Sequence, residues 1–325
     1  MKCGSAKPIL LVALSLLAAP LLAEAQQAGR AARVGWIALN PGPTPAQREA
    51  FLRGMRDHGW TEGQNFVIDD RWGEREQARD LAAELVRLKV NVIVTQGPMV
   101  FGARTEAGSV PVVFAFSGDP VEARLVASLA RPGGNLTGVT FLSLELVGKR
   151  LELLKEALPR HSRVAILANQ EHPGERAELK ESEVAEGRLG LRVQYVPVRT
   201  VSDFDAAFNA MERERGRAIV AFPDVLMMRQ ARAIAAFAAR RRIPAVSGWP
   251  EFAEAGNLMT YGPKLDESYR NLANYVDKIL KGTKPADLPV EQPMRFELVI
   301  NMKAAKALGI TCPPSILVRA DRVIE

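Results

Sequence analysis

The chain has 325 residues, of which 47% are hydrophobic and 25% charged, and its formal net charge is +6. These proportions are those of a soluble globular protein with room for two domains of ordinary size. Acidic and basic residues are mixed along the sequence, and no basic stripe accompanies a recognition motif, so a nucleic-acid-binding protein is not predicted.

The first 25 residues have the pattern of a secretory signal peptide. Lys2 and Lys7 precede an apolar segment at 9–22, and Ala-Glu-Ala at 23–25 supplies the small residues of a cleavage site. The apolar segment is shorter than the roughly 20 residues that span a bilayer, which argues against a membrane anchor. We therefore expect an exported, periplasmic protein that is cleaved near Ala25.

Beyond the signal peptide, apolar runs alternate with amphipathic segments, which predicts strands and helices in turn. In chain order, the first half gives predicted strands at 34–39, 65–72, 91–95 and 112–116. Predicted helices lie at 44–58 and 74–89, a third ends at about 107, and a fourth lies at 121–130. Four or five strand–helix units in succession predict a parallel sheet with helices on both faces.

After Gly138 the same alternation starts again. Predicted helices lie at 144–158, 175–188, 203–215, 226–240 and 265–280, and predicted strands at 163–168, 191–198, 218–222, 243–246 and 257–261. The fold class is therefore α/β, with two doubly wound, Rossmann-like units. Ligands of open α/β sheets lie beyond the carboxyl ends of the strands, so two facing sheets make a cleft that hinge closure can seal.

The segment from Ser117 to Pro120 joins a buried apolar strand to a predicted helix. Asp119 fits the N-cap and Pro120 the first helical position. Backbone N–H groups at such a junction are suited to holding an anion.

Polar or aromatic residues follow the strand ends in both halves of the chain. Each one alone is equally well explained as a turn, a helix cap or a core aromatic, but their recurrence at the same topological place favours a binding site. The candidate ligand-binding residues are Asn40, Thr44, Gln96, Ser117, Gly118, Asp119, Phe141, Asn169, His172, Phe222, Asp224, Trp249 and Tyr261.

No catalytic constellation is recognisable. The three histidines lack the spacing of a zinc motif, and no nucleophile elbow, P-loop or dinucleotide fingerprint stands between a strand and a helix. Cleavage would leave Cys312 as the single cysteine, which excludes an internal disulfide and a multi-cysteine metal cluster. We expect no enzymatic activity, no cofactor and no metal.

Four segments, in order along the mature chain, resemble one protein family. They are RVGW at 33–36, SGDPV at 117–121, LARPGGNLTG at 129–138 and AAKALG at 304–309. Together with the signal peptide, they are similar to the ABC-transporter substrate-binding family that is often labelled as tryptophan/tyrosine-type binding proteins.

The resemblance implies a type I periplasmic-binding-protein fold, in which two lobes are joined by three hinge crossings. The crossings would lie near 138–142, 257–262 and 284–294. The first lobe would take residues 30–139 and 260–285, and the second lobe residues 140–259 and 286–325.

The resemblance also implies a binding role, with an ABC permease in the inner membrane as the partner. In members that bind aromatic amino acids, Ser117, Gly118 and the backbone at Val121 would hold the carboxylate, and Asp119 or Asp224 the ammonium. We expect a small organic ligand, an amino acid or an aromatic or carboxylate compound, held between two lobes. A periplasmic sensor that passes ligand occupancy to a membrane signalling partner is the alternative.

Overall fold

The computed structural model describes residues 31–141, 144–159, 161–214 and 217–325, so the predicted signal peptide lies outside the described residues. Within these ranges, no helix is both long enough and apolar enough to cross a membrane.

The first sheet has five parallel strands in the order β2-β1-β3-β4-β5. They are β1 (Ala32–Leu39), β2 (Phe66–Gly73), β3 (Val92–Gln96), β4 (Val112–Phe116) and β5 (Leu136–Thr140). Both faces of this sheet are covered, because Val92 and Val94 pack into one apolar cluster and Ile93 into another. The double burial explains why these strands are apolar throughout rather than alternating.

Three helices connect these strands: α1 (Pro45–Asp57), α2 (Ala78–Arg87) and α3 (Val100–Glu106). Thr44 begins α1 with a capping box, in which its hydroxyl accepts the Gln47 N–H at 3.3 Å and the Gln47 side chain accepts the Thr44 N–H at 3.0 Å. Thr44 therefore has a structural role in this fold.

The second sheet has seven strands in the order β12-β11-β10-β9-β8-β6-β7, and of its neighbouring pairs β10 and β11 are antiparallel. The strands are β6 (Arg163–Asn169), β7 (Arg192–Val198), β8 (Ala218–Ala221), β9 (Ala245–Ser247), β10 (Met259–Pro263), β11 (Phe296–Asn301) and β12 (Arg322–Ile324). Apolar clusters cover both of its faces as well.

Nine further helices follow β5 in the described chain. They are α4 (Glu145–Ala157), α5 (Glu175–Leu189), α6 (Phe204–Arg213), α7 (Val225–Arg229), α8 (Ala231–Arg241), α9 (Pro250–Glu254), α10 (Leu265–Leu280), α11 (Met302–Leu308) and α12 (Pro314–Leu317). Helix α10 returns to the first sheet and packs against α1. Gly54 permits this close packing, because a Cβ atom there would lie 2.7 Å from the carbonyl oxygen of Arg270.

The chain passes between the two sheets three times: between β5 and α4, at Lys264 and at 292–295. The N–H of Lys264 donates to the carbonyl of Arg295 at 3.0 Å, which ties the second crossing to the third. Strand β10 belongs to the second sheet, and Glu291 pairs with Val139 of the first sheet. We call β1–β5 with α1–α3 and α10 the first lobe, and the other strands and helices the second lobe.

The predicted α/β fold with two mostly parallel sheets is confirmed. The predicted helix at 121–130 is wrong, because this segment forms turns. Arg124 adopts a left-handed conformation with φ of 56°, and the N–H groups of Leu125 and Val126 both donate to the carbonyl of Pro120. Leu125 and Val126 are 5% and 6% exposed, so burial in the first-lobe core takes precedence over local helical spacing.

The predicted helix at 226–240 is interrupted. Gln230 separates α7 from α8, with φ of −98° and ψ of 5°. The predicted helix at 74–89 likewise begins as a short 3₁₀ segment, Arg75–Gln77, before α2.

Candidate functional site

The carboxyl ends of strands from both sheets meet at a cleft between the lobes. Ser117, which follows β4, and His172, which follows β6, are joined by a hydrogen bond of 2.7 Å between Oγ and Nε2. The Nδ1 atom of His172 accepts the N–H of Gly174 at 3.2 Å, so in the neutral ring Nε2 carries the proton and donates to Ser117. The Ser117 hydroxyl keeps its own hydrogen for a second acceptor.

Charged contacts join the lobes at the rim of this cleft. Arg229 of the second lobe donates to the backbone carbonyl of Asn40 and lies 3.8 Å from a carboxylate oxygen of Glu74. The Asn40 side-chain amide donates to Glu74 at 3.2 Å, which orients that carboxylate. Arg75 and Glu171 form a second bridge, also at 3.2 Å.

A cavity of about 410 Å³ lies between these contacts and is walled by both lobes. This volume falls in the range of sites for small organic ligands. The charged residues in its wall are Glu74, Arg75 and Glu76 from the first lobe, and Glu171, Arg199, Asp224 and Arg229 from the second. The cavity therefore offers both signs of charge to a ligand.

The model of the family described as "ABC transporter substrate binding protein" matches residues 42–324 of this sequence. The chain belongs to that family. The resemblance inferred from the four sequence segments is thereby confirmed.

Relatives of this substrate-binding protein agree with the assignment. The tyrosine-binding protein of Clostridioides difficile is 23% identical over 269 residues, which cover 81% of this chain and 76% of that protein. A conserved domain protein from Vibrio cholerae superposes with a TM-score of 0.84 at 27% identity, covering 90% of this chain and 100% of the other. The ABC domain from Streptococcus pneumoniae in complex with L-Trp has a TM-score of 0.82 at 24% identity, covering 91% and 100% respectively.

Several predicted site residues of this substrate-binding protein lie at the cavity. Asn169, His172 and Asp224 line it, while Asn40 and Ser117 contact residues in its wall. Gly118 lies against the second lobe, because a Cβ atom there would be 2.9 Å from the Cβ of Pro173. The carbonyl of Gly118 accepts the hydroxyl of Thr140 at 2.9 Å.

The side chain of Asp119 forms hydrogen bonds within its own turn. Its Oδ1 accepts the N–H groups of Val121 at 2.7 Å and Glu122 at 3.1 Å. The resemblance assigned the backbone at Val121, together with Ser117 and Gly118, to a ligand carboxylate. Since no helix begins there and the groups already have a partner, the predicted anion-holding geometry is absent at this turn.

Asp224 is the N-cap of α7. One carboxylate oxygen accepts the N–H of Met227 at 3.0 Å, and the other accepts the Asn169 side-chain amide at 2.9 Å. The Asn169 oxygen in turn accepts the N–H of Glu171 at 3.0 Å. Asp224 and Asn169 thus form a rigid wall of the cavity.

Replacing Asp224 with alanine should lower the free energy of unfolding by about 1 kcal/mol, because it removes a helix cap. Urea unfolding followed by circular dichroism measures this loss. Asp224→Asn, which keeps an oxygen for the cap, should lose less. Equal losses for the two variants would contradict the capping role.

The remaining aromatic candidates lie in packed regions rather than in the cavity wall. Phe141 tilts against Tyr269 at 6.4 Å between ring centroids, and Trp249 of the second lobe packs against the same first-lobe cluster. Gln96 accepts the hydroxyl of Tyr269 at 2.9 Å. Phe141 and Gln96 therefore both contact Tyr269 of α10.

Phe222 and Tyr261 belong to the second lobe. Phe222 is 2% exposed in its core, and the Tyr261 ring packs on Phe296 at 6.2 Å. The carbonyl of Tyr261 accepts the Nε–H of Arg150 at 2.8 Å.

A buried charged pair, Arg150 and Glu178, lies behind the cleft wall of the second lobe. Arg150 is 3% exposed, and its Nη1 lies 3.9 Å from a carboxylate oxygen of Glu178, which is 4% exposed. Burial raises the pKa of Glu178 to about 8, against the opposing charge of Arg150. Gly248 makes room for the guanidinium, since a Cβ atom there would lie 2.6 Å from Nη2.

His172 borders this pair, with its Nδ1 at 3.9 Å from the other carboxylate oxygen of Glu178. Burial lowers the pKa of His172, while the nearby carboxylates of Asp224 and Glu175 oppose that shift. The ring that joins the lobes is therefore held neutral by its surroundings.

The sequence analysis missed Arg75, Arg199 and Arg229 in the cavity wall. Arg75 follows the end of β2 and Arg199 follows the end of β7, at the same topological place as the candidates that were chosen. Charged residues are equally common at ordinary helix starts, so their place in the sequence alone does not indicate a ligand contact. Considering every strand end would have found both.

Among the described residues, no group of three or more His, Cys, Asp or Glu side chains is placed to hold a metal ion.

Proposed function

We propose that this chain is exported through a signal peptide cleaved near Ala25, and that it captures a small organic ligand between its two lobes for an ABC importer. The observation that carries the proposal is the cavity of about 410 Å³, which is walled by strand ends of both sheets. A ligand there contacts both lobes at once.

Closure of the lobes around the ligand supplies the mechanism. Several contacts across the cleft are polar, such as Ser117 with His172 and Arg75 with Glu171. Such contacts can break and reform as the three chain crossings bend. A ligand that touches both walls binds the closed form better than the open one, and so shifts the population toward closure.

An amino acid or an aromatic or carboxylate compound fits this cavity best. Its wall carries guanidinium groups that suit carboxylates, and carboxylates that suit ammonium groups. The similar protein from Clostridioides difficile is named for tyrosine, which supports placing aromatic amino acids first among the candidates.

Membership of the family supports a permease as the partner and a role without catalysis. A periplasmic sensor would use the same cleft. Family membership favours transport over that alternative.

A thermal-shift screen of the protein starting at Gln26 tests the proposal. The panel should contain the aromatic and aliphatic amino acids and aromatic carboxylates. A ligand of the folded state at 100 times its dissociation constant adds about 2.7 kcal/mol of stability. That gain corresponds to a rise of about 5 °C or more in the unfolding midpoint. No shift with any compound, confirmed by calorimetric titration, would contradict capture of this ligand class.

A further inference from the structure

Three neighbouring strands of the second sheet begin at an exposed arginine. Arg163 is the first residue of β6, Arg192 is the first residue of β7, and Arg217 directly precedes β8. These strands are adjacent, in the order β8-β6-β7. The three residues, which we call the arginine row, therefore lie side by side although they are far apart in the sequence.

The strand register aligns the arginine row. Arg163 and Arg192 are directly paired between β6 and β7, and the N–H of Arg217 donates to the carbonyl of Arg163 at 3.1 Å. Neighbouring strands lie about 4.8 Å apart, so the three Cα atoms fall within about 10 Å. Side chains at paired positions leave the same face of a sheet, which places these charges close together.

A depression of about 210 Å³ lies at this end of the two outer strands. Arg163 and Arg192 line it, and so does Gln194, which follows Arg192 by two residues and shares its face of β7. The Gln194 amide donates to the carbonyl of Ala210 at 3.3 Å, whereas its Oε1 atom is buried and has no hydrogen-bond partner among the described residues. The depression thus combines two guanidinium groups with an unused acceptor for a hydroxyl group.

The charge at this edge is mainly positive. Among the described residues the arginine row forms no ion pair, and Arg163 donates only to the backbone carbonyl of Glu214, at 3.2 Å. The Glu214 carboxylate also lines the depression and opposes part of the positive charge. Burial lowers the pKa of the nearby His161, and the charges of Arg217 and Lys155 lower it further.

Helix dipoles do not account for the arginine row. Arg213 at the end of α6 and Arg241 at the end of α8 lie where cations suit a helix C-terminus. The arginine row begins strands instead, and strands have little net dipole. A binding partner with negative charge is the remaining explanation.

We propose that the arginine row binds the phosphate groups of anionic phospholipids and holds the protein at a membrane surface. A guanidinium presents paired N–H donors that match phosphate oxygens, and several basic residues together attach a protein to an anionic bilayer. Export, as proposed above, would bring this edge to a bilayer rather than to nucleic acid, which favours lipid as the partner.

Membrane binding and ligand capture use opposite edges of the second sheet. The arginine row lies at the amino ends of the strands, whereas Asn169 and the cleft lie at their carboxyl ends. Strand β6 has seven residues, so its two ends are about 20 Å apart. The protein can therefore bind a membrane with its cleft free, and this inference does not depend on the identity of the ligand.

Flotation with lipid vesicles tests the proposal. The protein starting at Gln26 is used, because a signal peptide would itself bind lipid. It should bind vesicles that contain about one third phosphatidylglycerol in phosphatidylcholine, and it should not bind vesicles of phosphatidylcholine alone. Raising the salt from about 0.05 M to about 0.5 M should abolish most of the binding, because screening shortens the range of charge attraction.

Two triple variants separate the arginine row from net charge. Each basic residue near an anionic surface strengthens binding about fivefold, so replacing all three arginines of the row with glutamine should weaken binding about 100-fold. The matched control is Arg87→Gln, Arg104→Gln and Arg131→Gln, which removes three exposed charges from the first lobe. This control should bind the vesicles within about twofold of the wild type, as expected for charges beyond the screening length.

A fourth variant gives a change in the opposite direction. Glu214→Gln removes the carboxylate that opposes the arginines and should strengthen vesicle binding up to about fivefold. Misfolding is not expected to produce such a gain. Unchanged unfolding midpoints show that the other variants are folded.

Three results would overturn the inference. They are a wild type that does not bind the anionic vesicles at low salt, two triple variants that lose binding equally, and tighter binding to a DNA duplex than to the vesicles. Each of these leaves the proposed ligand capture standing. Ligand-induced thermal shifts should be the same in the wild type and in the arginine-row variant, whichever ligand the thermal-shift screen identifies.

Discussion

Replacing Arg150 with alanine is expected to lower the free energy of unfolding by about 3–5 kcal/mol at pH 9, above the pKa of about 8 of Glu178, because it leaves this carboxylate without its buried counter-charge. Glu178 is 4% exposed, and one of its carboxylate oxygens has no hydrogen-bond partner. The substitution also removes the Arg150 donor to the carbonyl of Tyr261, close to the crossing at Lys264.

The loss should grow as the pH rises. In the wild type, burial has already raised the pKa of Glu178 to about 8, although Arg150 opposes the shift. Without Arg150 the pKa moves higher still. At pH 6 the carboxyl of Glu178 is neutral and costs less to bury. At pH 9 the variant must either bury an unpaired carboxylate or keep the carboxyl protonated, although the unfolded chain releases the proton at this pH. Both alternatives lower the free energy of unfolding.

Urea unfolding at pH 6 and pH 9 measures both effects. Lys149→Ala is the control on the same helix, since Lys149 makes an exposed pair with Glu152 at 3.0 Å and should contribute less than about 1 kcal/mol. If Arg150→Ala cost no more than Lys149→Ala, the buried pair would not stabilise the second lobe.

Ligand affinity is expected to fall as the pH drops below about 6.5, the ordinary pKa of histidine, because protonation of His172 opposes closure. Burial of the ring in the structure lowers its pKa, so under the proposed closure the open and unfolded forms would bind a proton more readily. Stability of the closed form is therefore complete above pH 6.5 and is lost on acidification, by up to about 1.4 kcal/mol per pH unit.

The groups facing His172 determine the size of this effect. Asp224 and Glu175 favour the charged ring, and Glu178 lies 3.9 Å from Nδ1. The N–H of Gly174 donates a hydrogen bond to Nδ1, and protonation of Nδ1 would break this bond. Burial outweighs the carboxylates, so the net direction is a lowered pKa.

His172→Gln is the matched variant, because the glutamine amide can still donate to Ser117 but does not titrate. Binding of the best ligand is titrated from pH 5 to pH 8. The affinity of the wild type should fall as the pH is lowered, and the affinity of the variant should change less. Equal slopes would show that His172 does not control closure.

The order of strands and helices was predictable because both sheets are buried on both faces. Continuous apolar runs such as Val112–Phe116 leave few alternatives to a parallel strand. The segment at 121–130 was mispredicted for a related reason. Its apolar spacing is helical, yet Pro120 and Arg124 shape a series of turns that carry Leu125 and Val126 into the core.

The candidate site was predictable only in part. The strand-end rule identified Ser117, His172 and Asp224, which the structure brings to the cleft. The position of a residue after a strand does not show whether its side chain is free to bind a ligand or already caps a helix. That distinction depends on partners far apart in sequence, as with Arg229 and Asn40.

Hydrogen exchange of the protein with and without its best ligand tests the central claim most directly. Capture between the lobes should slow amide exchange at strand ends of both lobes together, at 117–119 in the first and at 170–174 and 224–227 in the second. Protection confined to one lobe, or found only away from these strand ends, would contradict a ligand held between the two sheets.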